Sequence, residues 1–152
     1  MKLSPRQIQP AIVNFLAEDL GRGDLSTLTL PNRLATGDII VRQSGIIAGQ
    51  VIPAVVLQTL GPAGHYEQVI ADGAWVKAGT VIGRIAAPIA DLLAGERLLL
   101  NLMQRMSGIA TATHAAIERL NDPSIAILDT RKTLPGLRQF DKAAVVIGGG
   151  QN

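Results

Sequence analysis

Cysteine is absent from the 152 residues, which excludes disulfides and thiolate metal sites outright. Aromatic residues supply only 3% of the chain. A core therefore has to be assembled from Leu, Ile, Val and Ala, a composition suited to helices packed on strands. Charge of one sign is scarce as well. The formal net charge of +2 is too small to argue for a nucleic-acid or membrane-surface partner. No apolar run reaches the roughly 18 residues that a bilayer span needs, and the opening MKLSPRQIQP has no continuous apolar stretch after its basic residue. The expectation is a cytoplasmic protein. The P-loop pattern, the dinucleotide fingerprint, internal repeats and low-complexity tracts are also missing.

What is present is enough apolar material for one ordinary domain, with 47% hydrophobic residues. Residues 4 to 20 predict a helix, with Ser4 as cap, Pro5 in the first turn and Ile8, Ile12, Phe15 and Leu16 on one face. Pro10 falls inside that pattern and argues for a later start, and Gly21 and Gly23 end it. Residues 37 to 48 predict two short strands with a turn at Ser44-Gly45, and 51 to 60 a short apolar helix closed by Gly61-Pro62. From 66 to 87 the texture is β, punctuated by Gly73, Gly79 and Gly83. Residues 89 to 120 form the strongest helical segment, expected as two helices meeting near Ser107-Gly108. The apolar run 125 to 128 fits a buried parallel strand, and 135 to 147 predicts the next helix before Gly148-Gly149-Gly150. The order reads as an α+β body, residues 1 to 120, followed by a single β-loop-α unit, residues 121 to 152. That unit looks like the opening of a larger α/β domain.

Chemistry is suggested first by Asp129-Thr130-Arg131-Lys132-Thr133, directly after the apolar run. Ligands of parallel sheets bind beyond the carboxyl ends of strands. Adjacent cations there invite an anion: Arg131 as a bidentate clamp, Lys132 as a mobile point charge, Asp129 as their internal counter-charge. A solvated loop with an ion pair is the alternative. On the long helix, at about 100° per residue, Ile89, Leu92, Leu93, Leu99, Leu100, Met103 and Met106 cover one arc that includes Glu96. Arg97, Asn101 and Gln104 form a polar ridge at its edge. Either Glu96 makes a buried ion pair beside a solvated Arg97, or Arg97 reaches a ligand or another subunit. Arg138 extends the positive field of the 131–132 loop or is a plain surface residue, and Lys142 reads as plain surface. The triple glycine offers either a phosphate cradle or a turn. Asp141-Lys142-Ala143 resembles a lipoyl-attachment tripeptide, but it follows the glycine-spaced strands by some 60 residues instead of sitting on a hairpin tip, so modification is not expected. His65 and His114 lack partner spacing and read as structural.

Four stretches together resemble one family, quinolinate phosphoribosyltransferase: EDLGRGDLST, ADGAWVKAGTVIG, GERLLLNLMQRMSGIATAT and DTRKTLPGLRQFDKAAVVIGGGQN, in the family's order and spacing. The resemblance implies an N-terminal α/β sandwich-like domain followed by the first β-α unit of an incomplete α/β barrel, within a homodimer or higher homo-oligomer. It implies that Arg97 is lent across the dimer to substrate carboxylates. Thr130, Arg131 and Lys132 would line the pocket for quinolinate and phosphoribosyl pyrophosphate, with Arg138 close by. No catalytic residue and no protein metal ligand is assigned, and Mg2+ is expected with the phosphoribosyl pyrophosphate. The implied reaction yields nicotinate mononucleotide, pyrophosphate and CO2 in NAD biosynthesis. The family continues its glycine run with an Asn-His-Arg sequence, of which this chain holds Asn152; the chain alone is therefore expected to be inactive. The alternatives are a sister phosphoribosyltransferase-like protein of molybdenum-transport type, or a non-catalytic anion-binding or oligomerisation remnant.

Overall fold

The computed structural model describes residues 3–21 and 33–152. The first helix, α1 (Pro5–Leu20), starts where expected. The Ser4 backbone N–H and hydroxyl both donate to Gln7 Oε1, at 3.2 and 2.9 Å, closing the first turn. Pro10 does not delay the start. An interior proline costs about 3 kcal/mol, but Ile8, Ile12 and Leu16 are all buried on one face, each contributing roughly 1.5–3 kcal/mol. Burial wins. Gly21 then ends the helix at φ +52°, its N–H bonded to Ala17 O at 3.1 Å. Gly23 and most of the EDLGRGDLST stretch lie outside the described residues.

The β segments divide into two small antiparallel sheets. Strands β1 (Leu34–Ile40), β3 (His65–Gln68) and β5 (Val81–Pro88) form the larger one, with β5 central. Strands β2 (Gly45–Ile46) and β4 (Trp75–Val76) form the smaller. The two strands read between 37 and 48 are thus present, but they pair with β5 and β4 and not with one another. The helix α2 (Ile52–Leu60) carries Pro53 in its first turn and buries Val55, Val56 and Leu57.

Residues 89 to 120 make one helix, α3 (Ile89–Leu120), unbroken at Ser107-Gly108. A helical glycine costs about 1 kcal/mol, and tertiary bonds outweigh it. Ser107 Oγ accepts from Ala48 N at 3.0 Å, and Thr111 Oγ1 accepts from Ile46 N at 2.9 Å, tying β2 along the helix flank. The buried stripe is Leu98, Leu99, Leu102, Met103, Met106 and Ala110. It is rotated from the expected arc, so Leu93 and Glu96 face outward. Glu96 therefore needs no buried partner.

The last helix, α4 (Arg138–Ile147), lies across α3. Phe140 is fully buried, its ring 6.2 Å from that of Phe15. Asp141, also buried, accepts from Arg105 Nε and Nη2 at 2.7 and 2.8 Å, a bidentate clamp between the helices. That hydrogen bonding holds the Arg105 guanidinium even more firmly protonated than usual, against the opposing effect of burial. The α4 C-terminus meets α3 at Gly148, where a Cβ would stand 2.4 Å from Ala110 O and 2.9 Å from Thr113 Cβ. At Gly150 a Cβ would meet Val145 Cγ1 at 2.7 Å. The triple glycine is there for close approach of backbone to helix.

A polar network stiffens the sandwich side. Gln50, buried, receives a short hydrogen bond from the Tyr66 hydroxyl, donates through Nε2 to Ile82 O at 3.2 Å, and its backbone N–H donates to Asp72 Oδ1 at 3.0 Å. Burial first, and the Asp72 charge second, push the Tyr66 phenol up to about 12.

Two outcomes follow from this packing. Gly148→Ala should lower the urea-unfolding free energy by about 1–3 kcal/mol, because the new methyl meets backbone that cannot swing aside. Tyr66 is the sole tyrosine, so tyrosinate absorbance reports it alone. In the folded protein the absorbance should rise near pH 12, against an ordinary value near 10 once unfolded. The folded state holds this proton more tightly, so its contribution to stability is complete below the unfolded value and is lost as pH rises from about 10 to 12.

Candidate functional site

The cation-bearing loop is built from its base outward. Residues 127 and 129 bracket Gln151: its N–H donates to Ile127 O at 2.8 Å, and Asp129 N donates to its carbonyl at 2.9 Å. The Leu128–Gln151 bridge is parallel, as expected for the first strand of a parallel sheet. The burial expected for it is not found, because Ile125 and Leu128 are exposed. Only the first parallel contact of such a sheet is formed among the described residues; Ile127 is half-buried, while Ile125, Ala126 and Leu128 are exposed.

Beyond the bridge, Thr130 Oγ1 accepts from Lys132 N at 3.2 Å and curls the loop so that Arg131 and Lys132 stand exposed. Leu134-Pro135-Gly136-Leu137 is a tight turn, with Leu137 N bonded to Leu134 O at 3.1 Å and Gly136 at φ +81°. It hands the chain to α4, where Arg138 Nε donates to Thr133 Oγ1 at 3.4 Å. Thr130, Arg131, Lys132 and Arg138 thus share one loop and the helix start it feeds.

The counter-charge differs from expectation. Asp129 does not serve Arg131 and Lys132. It forms an ion pair with Lys142 of α4. The Asp129 side chain is 10% exposed and that of Lys142 is 27% exposed. Lys142 is therefore not a plain surface residue, and its place in a helix with its ammonium engaged rules against an attachment lysine. Among the described residues, neither Arg131 nor Lys132 forms an ion pair. The triple glycine supplies no phosphate cradle, since the N–H groups of Gly148, Gly149 and Gly150 donate to Ala144, Val146 and Val145 carbonyls.

Arg97 lies elsewhere. Its side chain, 71% exposed, reaches from α3 to the end of α1, where Nη1 donates to Asp19 Oδ1 at 2.9 Å. The pair sits in an open groove of about 620 Å³ walled by Phe15, Glu18, Asn101, Arg105 and Pro135 among others. Arg131, Lys132 and Arg138 do not line that groove. Sequence reasoning missed Asp19, Arg105 and the true roles of Asp129 and Lys142. The Arg97–Asp19 pair spans 78 positions, and no local spacing signals such a contact. His65 is exposed, and His114 stands 3.6 Å from Glu118 and beside the Trp75 ring.

The family model described as quinolinate phosphoribosyl transferase, N-terminal domain, matches residues 24–107, and that for the C-terminal domain matches residues 109–152. A probable nicotinate-nucleotide pyrophosphorylase (carboxylating) of Synechocystis is 40% identical over 147 residues, covering 95% of this chain and 50% of the relative. A chloroplastic nicotinate-nucleotide pyrophosphorylase (carboxylating) of rice is 41% identical over 146 residues, covering 93% of this chain and 39% of the relative. Among solved structures, NadC of Streptococcus pyogenes superposes with a TM-score of 0.95 at 33% identity, covering all of this chain and 55% of that one. The nicotinate-nucleotide pyrophosphorylase of Francisella tularensis gives 0.91 at 30% identity, covering 99% of this chain and 55% of that one. The chain spans half the length of the Synechocystis relative, 39% of the rice relative and 55% of both solved structures. With matched family segments over most of its length and the architecture of its solved relatives, the chain belongs to the quinolinate phosphoribosyl transferase family.

Proposed function

We propose that this chain provides the anion-gripping half of a quinolinate phosphoribosyltransferase that makes nicotinate mononucleotide, pyrophosphate and CO2 from quinolinate and phosphoribosyl pyrophosphate. The observation that carries the reading is the pair Arg131 and Lys132, exposed at the end of a parallel bridge and in no ion pair among the described residues. In the reaction the pyridine nitrogen bonds to the anomeric carbon while the bond from that carbon to pyrophosphate oxygen breaks, pyrophosphate leaving with the electron pair. The ring carboxylate next to the nitrogen then departs as CO2, its bonding pair passing to the ring carbon, which takes up a proton. Both reactants are polyanions, and positioning them with fixed cations supplies much of such catalysis. Arg131 suits a carboxylate or phosphate in bidentate fashion, Lys132 a phosphate as a point charge, with Thr130 and Arg138 beside them.

Arg97 stands apart within one chain, which agrees with its being lent to a neighbouring protomer in a homodimer or larger assembly. We take the barrel segment to begin after Leu120, where α3 ends. No helix among the described residues is long and apolar enough to cross a membrane, and a cytoplasmic enzyme remains our reading. The Mg2+ expected with the donor substrate finds no group of three or more His, Asp or Glu side chains among the described residues. We place the ion on the diphosphate of the donor, the arrangement in which Mg2+ needs few protein ligands.

Titration of quinolinate against the purified chain, followed by amide chemical shifts, should show weak saturable binding at residues 130 to 133. Arg131→Ala should reduce that affinity at least about tenfold, the loss typical of one truncated charge-assisted contact. Binding that survives Arg131→Ala, or none in the parent, would refute the assignment of this loop. The 152 residues alone, given quinolinate, phosphoribosyl pyrophosphate and Mg2+, should form no nicotinate mononucleotide.

A further inference from the structure

Within the loop that the proposed function depends on, Asp129 and Lys142 have no assigned part. Asp129 Oδ2 is sealed from solvent and accepts no hydrogen bond of ordinary geometry. It is held by the charge of Lys142 Nζ pressed against it. Asp129 is also fixed through its backbone, by the 2.9 Å bond from its N–H to Gln151 O. A buried carboxylate whose cation is removed must find another or protonate. The nearest cations along the chain are Arg131 and Lys132, two and three residues on. Among the described residues neither forms an ion pair.

We propose that Lys142 is a positioning residue that sequesters the charge of Asp129, keeping Arg131 and Lys132 turned outward and uncompensated for an anionic ligand. The two charges are divided by burial. One acid and one base cancel beneath the loop, and two bases remain above it. Such a division explains why the loop tolerates a carboxylate two residues from its anion clamp. Without Lys142 the loop would satisfy itself, folding a guanidinium or ammonium back onto Asp129. α4 is well suited to hold the lysine, because one or two residues away Phe140 packs against Phe15 of α1 and Asp141 is clamped by Arg105 of α3.

This inference rests on the loop being the anion site, and a double-mutant cycle separates the two ideas. The variants are Lys142→Met, Asp129→Asn and the pair combined, in the full chain, with inorganic pyrophosphate and quinolinate as probes. Lys142→Met should weaken anion binding about three- to tenfold, since one of two exposed charges is withdrawn. Asp129→Asn should bind at least as tightly as the parent, and the double variant should recover parental affinity. A loop that Lys142 merely props up predicts the opposite: Asp129→Asn as damaging as Lys142→Met, and no recovery in the pair.

A second readout needs no ligand. Amide shifts of residues 130 to 133 should move in Lys142→Met and return in the double variant. If they stay in place in Lys142→Met, the proposal is overturned whether or not the chain binds anions. If they move and return while no variant binds either probe, the charge division stands and the proposed ligand class falls.

Discussion

The seating of α4 against α3 is the constraint on which everything else hangs. The loop with Arg131 and Lys132 has little structure of its own, being a single bridge at one end and a tight turn at the other. Its position is inherited from α4, and α4 is held by three different kinds of contact. Phe140 is buried against the Phe15 ring, Asp141 grips the Arg105 guanidinium with both oxygens, and Gly148 admits α3 backbone to van der Waals range. Dispersion, charge and backbone shape each fix a different degree of freedom.

Charge is rationed along the same helix. Asp141 and Lys142 are adjacent, yet they do not serve each other. Asp141 looks toward α3 and Lys142 toward the strand end. Each forms a pair with a partner from another element, so two neighbouring charges become two separate tethers. Isolated surface pairs are worth little, but these are partly shielded and geometrically specific. On α1, Glu18 and Asp19 sit near the C-terminal end of the helix, where the backbone dipole disfavours negative charge and no basic residue of α1 offsets it. The Arg97 guanidinium supplies that compensation from α3.

Element types were legible from periodicity and caps: α1 from Ser4, Pro5 and its apolar face, α2 from its length and the closing Gly61-Pro62, the β texture of 66 to 87 from its glycines. The errors came where tertiary contacts overrule local preference. Pro10 argues for a later start and Gly108 for a break; burial keeps α1 whole from Pro5, and bonds that Ser107 and Thr111 accept from backbone N–H groups at 48 and 46 hold α3 unbroken. The strands of 37 to 48 were visible as strands, but partners 29 or more residues away were not. The exposed cation pair of the loop was readable from its motif, whereas the fate of Asp129 was not, because its partner is 13 positions on and Lys142 follows helical spacing like any surface lysine. The burial of 125 to 128 was expected from composition, which reports what a segment seeks and not what covers it.

The stretches matched by the two family models meet within α3, at residues 107 and 109. At about 1.5 Å per residue, the 32 residues of that helix make a rod of roughly 48 Å. A rod has no elbow. The groove with Arg97 and the seat of α4 ride on one stiff lever, so a tilt imposed at the first is felt at the second without passing through any flexible joint.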